Sequence, residues 1–156
     1  MPTTRTYAAG DGGQILRRDD HSGAWVDITP PAIYKTNWKD IMADPTNPDK
    51  VVVVGVCGDN TGVLVSSDAG ATWVYPAGDW WNFVTSYEEV WFVDTNTIWI
   101  VGLGGYVARS TNGGLSFIKT AQIPNPTTNY YSKAIHAWDD YVAVVAAAED
   151  DFNVRV

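Results

Sequence analysis

Short runs of β-branched and aromatic residues alternate with Gly, Asn, Asp and Pro along the whole chain. None of these runs carries the helical period of about 3.6 residues, so the pattern predicts strands and turns throughout. The expected strands are 5–10, 13–18 and 24–28; 37–43, 50–56, 62–66 and 72–76; 86–93, 97–102, 105–110 and 116–119; and 132–138, 141–147 and 152–156. An all-β chain follows.

The strands recur as a unit. "TYAAGDGGQILRR", "VVVVGVCGDNTGVLVSS", "IWIVGLGGYVARS" and "YVAVVAAAEDDFNVRV" each give an apolar strand, a turn and a second strand. After the second copy comes "SSDAGATW", with Ser66, Asp68, Gly70, Thr72 and Trp73, and 44 residues later "RSTNGGLSF" sets Ser110, Asn112, Gly114, Ser116 and Phe117 in the same places. A degenerate copy, "RRDDHSGAW", puts Asp20 and Trp25 in that relation. Four antiparallel strands in about 45 residues is the arithmetic of a β-propeller blade. The chain is expected to form one domain, 1–156, of repeats at about 1–30, 31–78, 79–121 and 122–156.

Ser-x-Asp-x-Gly-x-Thr-Trp resembles the Asp-box, or BNR repeat, of sialidases, sortilin-type receptors, xyloglucanases and photosystem II assembly factors. The match is complete at Ser66–Trp73, whereas Asn112 replaces the aspartate in the next copy. The resemblance implies a hairpin between the third and fourth strands of a blade, on the outer rim and away from an active face. Physical reading of the residues agrees. An aspartate two positions before a glycine accepts bonds from the N–H groups of its own turn, the glycine takes the positive φ, and the tryptophan covers the hairpin. The boxes therefore read as structural staples.

Composition narrows the function classes. The 156 residues are 46% hydrophobic, enough for a real core. Ten Lys+Arg against 18 Asp+Glu leave a net charge of -8, which repels a phosphate backbone, so no nucleic-acid partner is expected. Cys57 stands alone, so neither an intramolecular disulfide nor a thiolate metal cage is expected. His21 and His136 show no metal-ligand spacing, and neither a metal nor a cofactor is expected. No run is long and apolar enough for a membrane span and no apolar core follows Arg5, so no membrane insertion and no signal peptide are expected. A virion or the cytoplasm is the expected setting.

An enzyme of the sialidase type would need an arginine triad, a Tyr/Glu pair and a Phe/Tyr-Arg-Ile-Pro motif, and that motif is missing from the sequence. Arg17 or Arg18, Arg109 and Arg155 fall at matching third-strand positions around a rim rather than converging. Glu88, Glu89, Asp139, Asp140, Glu149, Asp150 and Asp151 read as solvated surface, so no catalytic residue is assigned. The positive signal is the aromatic content of the loops between blades: Tyr34; Trp80, Trp81 and Phe83; Tyr130 and Tyr131. On one face they would stack on sugars or anchor a protein interface; the alternative is that they pack only between neighbouring blades.

The expectation is a propeller or part-propeller of about four blades, two four-stranded and two three-stranded. It would serve as a non-enzymatic structural and recognition module for protein or glycan, such as a phage tail or capsid appendage. A protein partner or a second copy is expected to complete the ring. The alternative is a subunit or fragment of a glycoside hydrolase or sialidase-like enzyme. A photosystem-type assembly factor is disfavoured by the lack of a concentrated arginine patch.

Overall fold

A computed structural model of the protein describes residues 4–20, 22–31, 37–56, 62–78, 86–122, 130–139, 143–149 and 154–155. Among them there is no helix, and fourteen strands form four sheets. The first sheet is β1 (Arg5–Ala9), β2 (Ile15–Asp19) and β3 (Val26–Asp27); the second is β4 (Trp38–Asp44), β5 (Asn47–Gly55) and β6 (Val63–Ser66). The third runs β7 (Ala77–Gly78), β11 (Ser116–Gln122), β10 (Tyr106–Ser110), β9 (Ile98–Gly102), β8 (Tyr87–Phe92). The fourth is β12 (Tyr130–Ala137), β13 (Ala143–Glu149) and β14 (Val154–Arg155). Apart from β7, neighbouring strands pair antiparallel in each sheet, as those of propeller blades do.

The blades stack through their middle strands, whose side chains alternate between two seams. In β5, Val53 turns with Leu64 and with Trp38 of β4 to the first blade, where Ile15 lies, whereas Val52 and Val54 turn to the third. In β9, Ile98 and Ile100 meet the valines of the second blade, and Trp99 and Val101 meet Ile135 and Ala137 of the fourth. Burial on both faces explains why these runs are apolar at every position. The inner strand β8 packs between β4 and β12, which sets the order of the blades.

Two strands differ from expectation. The fourth strand of the second blade is reduced to one bridge, Val65 with Val74, because Pro76 has no N–H to continue a ladder. The chain then crosses to the next blade as β7 and pairs parallel with β11, Ala77 opposite Ser116 and Gly78 opposite Phe117. Tyr130 and Tyr131 begin β12, opposite Glu149 and Ala148, rather than lying in the loop before it. The ladder with β13 extends to them, so their backbone is strand.

Candidate recognition site

The two box hairpins have the same internal wiring. Ser66 Oγ donates to Asp68 Oδ1 at 2.8 Å and accepts from Gly70 N at 2.8 Å; Asp68 in turn accepts from Thr72 N at 2.8 Å and Thr72 Oγ1 at 2.6 Å. Ser110 Oγ reaches Asn112 Oδ1 at 2.9 Å and accepts from Gly114 N at 2.9 Å, while Asn112 accepts from Ser116 N at 3.0 Å and donates Nδ2 to Ser116 Oγ at 2.8 Å. An amide thus does the work of the carboxylate, with the serine hydroxyl at the centre of both turns. Gly70 and Gly114 stand at φ 83° and 88°, conformations that favour glycine. The Thr72 bonds hold the Asp68 carboxyl below its ordinary value.

Each box also grips a neighbour. Trp73 donates Nε1 to Ile28 O at 3.0 Å, and Phe117 is fully buried in the seam between the second and third blades. Arg17 donates Nη1 to Ala69 O at 2.7 Å, so an arginine of the first blade clasps the hairpin of the second. In the degenerate copy, Asp20 takes φ 63° and donates its N–H to Thr4 O, and Trp25 remains 43% exposed beneath Arg18, 5.0 Å away. That copy makes a turn but leaves its indole outside the core.

The inner strands contain a second repeated device. β4 and β8 each shift register, between Trp38 and Asp40 and between Tyr87 and Glu89, and β12 does so between Ser132 and Ala134. The N–H just after each bulge turns out of its own ladder. Val90 N donates to Asp40 Oδ2 at 3.0 Å, and Ile135 N donates to Glu89 Oε2 at 2.7 Å, each joining one blade to the next. Ile41 N donates to Asp40 Oδ1 at 2.8 Å, within its own strand. Burial raises the Glu89 carboxyl above its ordinary value; the Ile135 bond opposes this and the Asp40 charge adds to it. Glu89 is therefore an inter-blade acceptor and not the solvated surface residue that the sequence suggested.

The turn carboxylates are similarly engaged. Asp44 accepts from Thr46 N at 2.8 Å, from Thr46 Oγ1, and from Thr95 Oγ1 of the next blade. Burial alone would raise its carboxyl, but the bonds from Thr95, Thr46 and Asn47 outweigh burial and lower it. Asp94 accepts from Thr97 N at 2.7 Å and Asn96 N at 2.6 Å, which lower it too. Lys50 spans the same seam, donating to Thr95 O, and burial lowers its ammonium group against the pull of Asp44 and Asp94. Between the two box hairpins lies a groove of about 380 Å³, lined by Asn47, Lys50, Thr72, Val74, Asn112 and Leu115 among others.

Of the aromatic residues singled out in the sequence, Tyr34, Trp80, Trp81 and Phe83 lie outside the described residues, and Tyr130 and Tyr131 are placed by their backbone in β12. The described rings that gather at the surface are different ones. Trp91 on β8 and His136 on β12 have ring centroids 4.2 Å apart, and Trp138, just past the end of β12, stands 4.8 Å from His136 at 65°. Trp91 is half-buried and anchored by Nε1 to Ala137 O at 3.0 Å, whereas Trp138 is 63% exposed. These rings occupy the end of the blades carrying the first-to-second strand turns. Aligning "EVWFVD" with "AIHAWD" places Trp91 and His136 at one repeat position, a signal available in the sequence but not its consequence. Among the described residues no group of three or more His, Cys, Asp or Glu could hold a metal ion, and no helix is long and apolar enough to cross a membrane.

Comparison with known proteins gives a likeness of fold. No protein-family model matches, and no curated protein matches significantly. Among solved structures, YCF48 bound to D1 peptide is similar at TM-score 0.65 and 13% identity, over 96% of this chain and 46% of that one. YCF48 from Cyanidioschyzon merolae is similar at TM-score 0.67 and 14% identity, over 96% and 48%. An ancestral GH74 enzyme is similar at TM-score 0.53 and 18% identity, over 97% and 25%. The chain spans just under half the length of the two YCF48 chains. Sheet order, blade stacking and these neighbours together establish a β-propeller fold.

Proposed function

We propose that the chain is a non-enzymatic recognition module that binds a protein partner through aromatic surface residues. The observation that carries this reading is the engagement of the described acidic side chains of the inner strands and turns. Asp40, Asp44, Glu89 and Asp94 each hold backbone N–H groups, three of them across a blade seam or beside one, rather than converging on an open cleft. A hydrolase needs a proton donor and a second carboxylate free to meet substrate. The peptide bound by one YCF48 neighbour supports a protein ligand in this architecture. The ring is completed by a partner chain or a second copy, and a virion appendage is the setting we favour. The box hairpins act as Asp-box staples within it, and Trp80 and Trp81, outside the described residues, are proposed as further contacts.

The competing reading, a GH74- or sialidase-like hydrolase fragment, draws on one observation: Glu89 has a raised carboxyl beside the charge of Asp40. Incubation with xyloglucan and sialyl-oligosaccharides separates the two. Retention of peptide ligands with no release of sugar is expected. Sugar release that disappears in Glu89→Gln would replace our reading with the enzyme.

A further inference from the structure

Within the protein-recognition reading on which this step rests, we infer that Trp138, backed by His136 and Trp91, is a docking platform for a basic side chain, arginine or lysine, of the partner. The platform is built rather than incidental. Trp91 is fixed by its bond to Ala137 O, His136 leans on it at 4.2 Å, and the Trp138 ring rests against His136 with 63% of its surface in solvent. An indole held from behind while its outer area stays wet loses little freedom on binding.

Charge selects the occupant. Exposed Asp139 follows Trp138 directly, Asp94 lies in the equivalent turn of the preceding blade, and the chain carries a net charge of -8. A cation is drawn to such a surface and then to the ring's negative face. The same chemistry recurs inside the chain: Arg18 sits 5.0 Å from the Trp25 ring, Arg109 5.5 Å from Trp99, and Lys119 4.1 Å from Tyr106. Among the described residues the other well-exposed indole, that of Trp25 at 43%, is already covered by an internal arginine. Trp138 offers a partner's arginine or lysine a comparable seat.

The test uses the full chain and three fluorescent probes at 150 mM salt: Gly-Arg-Gly-Arg-Gly, its citrulline counterpart of equal shape and no charge, and cellohexaose. The arginine peptide is expected to bind, with Trp138→Ala weakening it about five- to tenfold, in the range of a cation–π contact. Trp138→Phe should recover part of the loss, and Asp139→Asn should weaken binding further from the ring's contribution. Thermal melts of each variant report folding, and the exposed position makes loss of fold unexpected. Equal binding of the arginine peptide by wild type and Trp138→Ala would overturn the inference, as would no binding at all. Citrulline peptide retained in a Trp138-dependent way would overturn the cationic occupant while leaving protein recognition standing. Cellohexaose retained in that way, with neither peptide bound, would overturn both.

Discussion

Replacing Glu89 isolates the device that joins the third blade to the fourth. Ile135 is buried at 3% exposure and its N–H has Glu89 Oε2 at 2.7 Å as acceptor, so Glu89→Ala leaves a buried donor unmatched. That costs about 1–3 kcal/mol. A chain of this length loses roughly 2–4 °C in melting temperature for each kcal/mol. Glu89→Gln keeps an oxygen for Ile135 and removes the charge that burial penalises, so its cost at neutral pH should stay below about 1 kcal/mol. The two variants also separate by pH. The Glu89 carboxyl in the folded protein is raised above its ordinary value of 4.5, so the native state holds this proton more tightly than the unfolded chain does. Its contribution is then fully present below about pH 4.5 and is lost as pH rises through the raised folded value. Wild type should therefore exceed Glu89→Gln by more at pH 4 than at pH 7, in urea unfolding followed by tryptophan fluorescence. Groups remote from Glu89 are common to both proteins and cancel in the difference. A gap that stays constant with pH, or a Glu89→Ala variant as stable as wild type, would refute the reasoning.

Asp68→Ala removes the acceptor of three bonds in the exposed box turn and should cost about 1–2 kcal/mol in thermal unfolding, while Asp68→Asn should cost less than half as much, because Asn112 already makes the same turn. Equal losses would show that the charge, and not the hydrogen-bond geometry, holds the hairpin. Trp73→Ala empties part of the seam and breaks the bond to Ile28 O, an expected loss of about 3–5 kcal/mol by chemical denaturation. Asp44, Asp68 and Asp94 have lowered folded values, so their stabilisation is present above the ordinary value of 3.8 and is lost as pH falls below it. A urea midpoint that falls steeply between pH 4 and pH 2 is expected, and Asp44→Asn should flatten that fall. Gly102→Ala would put a Cβ 2.3 Å from Ser86 O between β8 and β9, and a melting loss of several degrees is expected where an open glycine such as Gly10 tolerates the same change.

Local chemistry is what the sequence carried by itself. Ser66 to Trp73 and Ser110 to Phe117 specify their turns because a hydroxyl, a carbonyl oxygen and a glycine within eight residues close the hydrogen bonds among themselves, whatever surrounds them. The apolar runs of β5 and β9 likewise declare strands buried on both faces, and alternation puts Val52 and Ile100 in the seam they share while Val53 and Trp99 turn away from it to the first and fourth blades. Only the tertiary structure decided what crosses between repeats. Pro76 ends the outer strand after Val74, but nothing local sends Ala77 and Gly78 to the edge of β11. Val90 with Asp40 and Ile135 with Glu89 are pairs 50 and 46 residues apart, meeting because a bulge frees one N–H and blade stacking brings a carboxylate to it. Trp91, His136 and Trp138 form a surface for the same reason: strand periodicity sets the side of the strand from which each ring leaves, and the distance between neighbouring inner strands sets which rings touch.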